Sequence, residues 1–315
     1  GLELSTILSE RLGDDAEVTL IDKGEGFVFG YSKLDLMFHG KSVEEVRLPY
    51  ADFVKPGVRL LRETVTAIDP AARRVTTDAG VHEADYLVIA LGADYDLAAT
   101  PGLAELDSEF YSVAGARKLA KVIPDFSAGR ALIGVCGAPF KCPPAPSECA
   151  LLLDDELRRR GARDECEIAF VSPFDKPVPP SPETSAALEG EFAERGIELI
   201  TGRLVASVDV DRQVAVLDDG SEQPFNLFLG VPKHRAPEVV IESGITEDGF
   251  IPVDPATLAT KVPGVYAIGD CATAGVPKAG VFAEGAARIV AGHLLAAVAE
   301  GDDPPRHLGQ VTGYC

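Results

Sequence analysis

The chain has 315 residues, of which 46% are hydrophobic and 25% charged, ordinary values for a folded globular protein and long enough for about two domains. Lys and Arg number 29 and Asp and Glu 50, a net charge of −21. That balance argues against nucleic acid as a partner, because phosphates need basic patches, and it disfavours anionic lipid surfaces. The six cysteines, Cys136, Cys142, Cys149, Cys166, Cys271 and Cys315, are too few and scattered for a disulfide-stapled scaffold. No Cys or Cys/His cluster has zinc spacing, so no metal is expected. No apolar run approaches the ~20 residues of a membrane-spanning helix, and no signal peptide is visible. The only Met is Met37, and the chain opens at Gly1 directly before an apolar helical pattern.

Residues 1–15 read as a helix with Leu2, Leu4, Ile7, Leu8 and Leu12 on one face. A strand from Glu17 to Asp22 follows, then short strands within 46–77 broken by Pro56-Gly57 and Asp69-Pro70. Tyr86 to Ala93 is a continuous apolar run closed by glycine, the pattern of a buried parallel strand. Residues 98–128 hold a linker and an amphipathic helix. A second unit starts at the strand Ala131 to Gly137, followed by a proline-rich turn and a helix from about Ser147 to Arg160. The strand 167–171, helix 183–195, strand 197–200 and further strands in 203–229 complete it. Val265 to Asp270 is a third buried strand, and Val281 to Ala299 a long helix. Alternating apolar strands and helices predict an α/β fold with parallel sheets.

The first chemical signal is the spacing from Gly1 to Asp22. In a dinucleotide-binding unit the last glycine of GxGxxG opens a helix, and an acidic residue at the end of the second strand takes a ribose hydroxyl. Gly1 and Asp22 fit the second half of that fingerprint, with the first strand and glycines expected upstream. The second unit has the strand for such a site but not its chemistry. Gly134 to Glu148 carries Pro139, Pro143, Pro144 and Pro146, which remove backbone donors a pyrophosphate would use. No carboxylate stands at the usual ribose position in Ser172-Pro173-Phe174-Asp175, so NAD(P)H binding is not expected there. Cys142, beside Lys141 and just ahead of a helix, has the setting of a low-pKa thiol. Glu148 is placed to act as a general base or simply to complement the helix dipole.

Leu87 to Ala93 and Gly264 to Ala272 resemble the two flavin-contacting segments of two-dinucleotide-domain flavoproteins, in which the aspartate of the Gly-Asp pair binds the FAD ribityl chain. More specifically, Ala138-Pro139-Phe140-Lys141-Cys142-Pro143-Pro144-Ala145-Pro146-Ser147-Glu148 resembles the sulfide:quinone oxidoreductase and flavocytochrome c sulfide dehydrogenase family. So do Val231-Pro232-Lys233-His234-Arg235-Ala236-Pro237 and Gly269-Asp270-Cys271 followed by Pro277-Lys278-Ala279-Gly280. The resemblance spans almost the whole chain. It implies two Rossmann-like three-layer dinucleotide-binding domains, the second inserted in the first: residues 1–97 and 231–300 for FAD, 98–230 for the second domain, and 301–315 as the start of a C-terminal segment.

For the site it implies FAD held by Gly1, Asp22, Lys23, Ala90, Gly92, Gly269, Asp270, Lys278, Gly280 and Val281. It pairs Cys142 with Cys315 as a redox-active disulfide, with Glu148 as base. The implied donor is sulfide or a small thiol or persulfide; the implied acceptor is a quinone or a haem protein. For membrane-associated members the family implies peripheral attachment through a further C-terminal segment, expected to lie outside this chain. The four cysteines outside the pair are expected to be packing residues, Cys271 being the best of them for a secondary role, and they point to a reducing compartment: the cytoplasm or the inner face of the membrane, although some of the family are periplasmic. Two other readings compete: a type II NADH:quinone oxidoreductase-like flavoprotein, which the four prolines oppose, and a flavin-fold binding protein without turnover.

Overall fold

The structure, a computed structural model, describes residues 1–299. It forms two compact units. The first comprises Gly1–Phe27, Leu48–Asp94 and the described residues from Arg235 onward; the second comprises Val28–Arg47 and Tyr95–His234. The second is therefore inserted in the first. Residues 28–47, which the sequence places with the first domain, cluster with the second.

In the second unit, a parallel sheet is built in the spatial order Ile197–Ile200, Cys166–Val171, Gly129–Val135, Leu227–Val231. Its strands read as near-continuous apolar runs because both faces are covered. Side chains alternate across the pleat. Ala131, Ile133 and Val135 meet the helix layer with Leu153 and Leu157 of the Ala145–Arg160 helix. Leu132 points to the opposite face, where Val205, Ala215 and Leu217 belong to an antiparallel sheet of Val205–Asp209, Val214–Leu217 and Glu222–Pro224. Helix, parallel sheet and antiparallel sheet make three layers. Ile133, Leu132 and Leu229 are wholly buried, each contributing about 1.5–3 kcal/mol of apolar transfer. The Ser32–Phe38 helix, in a stretch the sequence pattern leaves unassigned, adds Leu34, Leu36 and Met37 to the helix side.

Among the described residues the first unit has three parallel strand pairs, Val18–Ile21 with Val58–Leu61, Leu87–Ile89 with Val265–Ala267 and the short Ile251–Pro252 with Ala272–Thr273, and a three-stranded antiparallel sheet of Val65–Asp69, Arg74–Thr77 and Val81–Glu83. The Leu2–Leu12 helix ends at Gly13 and lays Leu4 and Leu8 against Ile289, Val290 and Leu294 of the Gly280–Ala299 helix.

Four expectations change. The apolar run Tyr86 to Ala93 is a strand only over Leu87–Ile89, and Leu91 is 37% exposed, since among the described residues this strand pairs only with Val265–Ala267. The strand expected to reach Asp270 stops at Ala267, because Gly269, at φ 73°, turns the chain into a 3₁₀ turn over Gly269–Cys271. The helix expected from Ser147 begins at Ala145, because a proline is tolerated in a first turn. Finally, the Gly280–Val298 stretch is long and apolar enough to cross a membrane by length and composition. In the fold its apolar face, with Ala286, Ala287 and Val290, is buried in the core, and Glu284 pairs with Arg288 on the exposed side.

Candidate functional site

Ten of the residues expected to hold a dinucleotide fall in the first unit. Gly1 caps the Leu2–Leu12 helix without a side-chain cap, and its carbonyl accepts from the Ser5 N–H at 2.9 Å. A Cβ there would lie 3.3 Å from Leu20 and 3.7 Å from the Ala90 side chain, so Gly1 and Ala90 lie together with little space between them. Gly92 is held at φ 71°, and a Cβ on it, as on Gly280, would meet no atom of the described residues within 4 Å. Both backbones are therefore open to a ligand.

Asp22 ends the Val18–Ile21 strand, its N–H bonded to the Leu61 carbonyl. Its Oδ1 accepts from the Gly24 N–H at 2.7 Å and its Oδ2 from the Tyr50 hydroxyl at 2.8 Å. Lys23 beside it is exposed. Tyr50 carries no motif and is missed by sequence reasoning, since it reaches Asp22 only through the fold.

At the other end of this unit, Gly269, Asp270, Lys278 and Ala279 line one cleft with Phe282 and Ala283. The buried Lys278 ammonium donates to the Asp270 carbonyl at 2.7 Å and the Ala272 carbonyl at 3.1 Å, and sits 3.6 Å from the centroid of Phe250. Burial lowers its pKa, with the Asp270 carboxylate acting in the opposite direction. Lys278 thereby pins the Gly269–Cys271 turn, and Gly280 and Val281 begin the long helix just beyond. Open glycine backbone, a strand-end carboxylate and a helix N-terminus form the donor and acceptor set that a dinucleotide flavin requires, so the residues present fit FAD.

In the second unit, Cys142 is partly exposed and held at φ 49°, a left-handed backbone that non-glycine residues seldom adopt. Its carbonyl accepts from the Ala145 N–H at 2.9 Å and from the Tyr111 hydroxyl at 3.4 Å. Tyr111 belongs to a cluster with Tyr95, Phe140 and His234, in which the His234 ring stands edge-on to Tyr95 and Tyr111 at 5.0 and 5.2 Å. Lys141, expected beside the thiol, places its ammonium 4.5 Å over the Tyr95 ring. Glu148 stands in the first turn of the 145–160 helix. Desolvation there, then the Asp35 carboxylate, raise its carboxyl above the usual range. Asp35 and the aromatic cluster were not legible in sequence, as they come from distant segments. Cys315 lies outside the described residues.

The other cysteines fit packing roles. Burial pushes Cys136 up to about 12 and Cys271 up to about 11, and raises Cys149 and Cys166 as well. Cys271 donates to the Ile268 and Ile89 carbonyls at 3.3 and 3.4 Å. At the proline-rich turn, the glycines of a nucleotide loop are spent on internal packing. A Cβ at Gly137 would sit 2.7 Å from the Lys233 Cβ, and one at Gly134 2.7 Å from Phe228. Among the described residues, no group of three or more His, Cys, Asp or Glu could hold a metal.

The chain is similar to the mitochondrial sulfide:quinone oxidoreductase of Schizosaccharomyces pombe, 29% identical over 259 residues, which cover 77% of this chain and 56% of that protein. It thus spans little more than half the length of that relative. It is 34% identical over 128 residues to a type II NADH:quinone oxidoreductase of Staphylococcus saprophyticus, covering 40% of this chain and 32% of that one. The solved sulfide:quinone oxidoreductase of Aquifex aeolicus shares the fold with a TM-score of 0.85 at 23% identity, over 96% of this chain and 76% of that one. The family model for pyridine nucleotide-disulphide oxidoreductases matches residues 1–287, and the chain belongs to that family of FAD-binding flavoproteins.

Proposed function

We propose that this protein is an FAD-dependent oxidoreductase that oxidises sulfide, or a small thiol or persulfide, at Cys142. The carrying observation is the setting of Cys142: a partly exposed residue on a left-handed backbone ahead of a helix, with a raised-pKa carboxyl at Glu148 in that helix's first turn. Cys142 is paired with Cys315 in this reading. Attack by HS⁻ splits the disulfide, leaving a persulfide on one sulfur and a thiolate on the other. Glu148, whose proton affinity lies closer to neutrality than an ordinary carboxylate's, takes the proton of the incoming donor. Bound FAD supplies a two-electron acceptor. Tyr111 holds the Cys142 carbonyl and so orients the loop that carries the thiol. A quinone or a haem protein is the proposed terminal acceptor, at the cytoplasmic face of a membrane.

The test is anaerobic mixing of the flavin-loaded protein with sulfide and, separately, with NADH. Sulfide bleaches the flavin of the parent protein, and Cys142→Ser abolishes the bleaching. A Cys142→Ser variant that bleaches at the parent rate refutes the reading. Bleaching by NADH would support a type II NADH:quinone oxidoreductase-like activity instead, against the packing of Gly134 and Gly137.

A further inference from the structure

Asp22 is fixed from two sides. The Gly24 N–H holds Oδ1 at 2.7 Å, and the Tyr50 hydroxyl holds Oδ2 at 2.8 Å. A carboxylate offers about four lone-pair positions, so two acceptor positions remain for a ligand. Tyr50 is itself held. Its N–H donates to the Glu25 carbonyl at 2.9 Å. Its ring stacks on Phe27 with centroids 6.2 Å apart at 27°, and Phe27 in turn meets Phe53 edge-on at 6.0 Å. Burial, then donation to Asp22, push the phenol upward, so it stays a donor across the physiological range.

We propose that Tyr50 is a cofactor-positioning residue: its phenol locks the Asp22 carboxylate in the orientation that receives the ribose diol of the adenosine half of FAD. The inference rests on the reading of the first unit as the FAD site. A free carboxylate would have to lose its rotamer freedom on binding, and this one has already lost it. The ligand class follows from the chemistry: a vicinal diol meets two remaining acceptor positions, so the contribution belongs to the adenosine end and not to the flavin end.

The test titrates the deflavinated protein with FAD and with FMN, which lacks adenosine, following flavin fluorescence, and displaces FAD with ADP. Tyr50→Phe raises the Kd of FAD and of ADP by up to about tenfold, the size of ordering one polar side chain on binding. It leaves FMN binding unchanged. Adding Tyr50→Phe to Asp22→Ala causes no further loss, because the phenol acts through that carboxylate. Equal weakening of FAD and FMN would assign Tyr50 a merely structural role and overturn the proposal. So would unchanged or tighter FAD and ADP binding in Tyr50→Phe. A parent protein that binds neither FAD nor ADP overturns the FAD reading, and this inference with it.

Discussion

Asp154 is the strongest single test of how the second unit is held together. Its side chain is fully buried, yet it is ionised among three arginines: Arg158 Nε at 2.7 Å, Arg163 Nε at 2.5 Å and an Arg195 guanidinium nitrogen at 3.0 Å. Arg163 also donates to the Cys166, Arg195 and Gly196 carbonyls. One carboxylate thus ties the 145–160 helix to the starts of two sheet strands and the end of the Pro182–Arg195 helix. Removing one partner of a buried ionic cluster costs about 3–5 kcal/mol, because the remaining charge is left without its partner. Asp154→Asn keeps the volume and removes the charge. At roughly 2–4 °C per kcal/mol for a unit of this size, the thermal midpoint falls by about 6–20 °C.

The assay is melting followed by circular dichroism, with Asp155→Asn as the control. Asp155 pairs with Arg195 at 2.7 Å but is 62% exposed, so its loss costs under ~1 kcal/mol. The pH dependence has a definite sign. Burial acts to raise the Asp154 carboxyl, and donation from the arginines more than offsets it, so its folded pKa is depressed. The stability it contributes is therefore complete above the unfolded value of about 3.9 and is lost as pH falls through the lower folded value. The gap between parent and variant is full at pH 7 and closes only in strong acid. Equal small shifts in Asp154→Asn and Asp155→Asn would show that the buried ion cluster does not hold these elements together.

Glu148→Gln lowers sulfide-dependent flavin reduction about a hundredfold, the ordinary worth of a positioned base, and removes the limb of the pH profile that rises as Glu148 ionises. Asp35→Asn removes the neighbouring negative charge that helps to raise Glu148, so the same limb moves to lower pH without disappearing; a shift to higher pH would contradict this. Lys278→Met keeps the apolar stem over Phe250 but loses both donations to the Gly269–Cys271 turn and its neighbour. It weakens FAD binding roughly tenfold or more at two lost charged hydrogen bonds, read by fluorescence titration, while the melting of the second unit is unchanged.

The architecture is legible in the local pattern of the chain. Apolar runs such as Ala131 to Val135 and Val265 to Ala267 report burial on both faces, which only a covered parallel sheet provides. Glycines and prolines mark where those runs stop. That pattern also marked Asp22, Asp270 and Cys142, because each lies just after a strand or just before a helix, where local chain geometry presents a side chain. What it left open depends on contacts between distant segments. Tyr50 stands 28 positions from Asp22, and Asp35 lies on a helix far from Glu148 in the chain; no periodicity links either pair. Lys141 shows the same limit: its adjacency to Cys142 is legible in sequence, whereas the contact that sets its ammonium 4.5 Å over the Tyr95 ring comes only from the fold. The length of a strand was likewise a tertiary decision, since Leu91 has the composition of a core residue and an exposed place. Local pattern fixes which elements form, and only their packing decides which side chains share an environment and so acquire chemistry together.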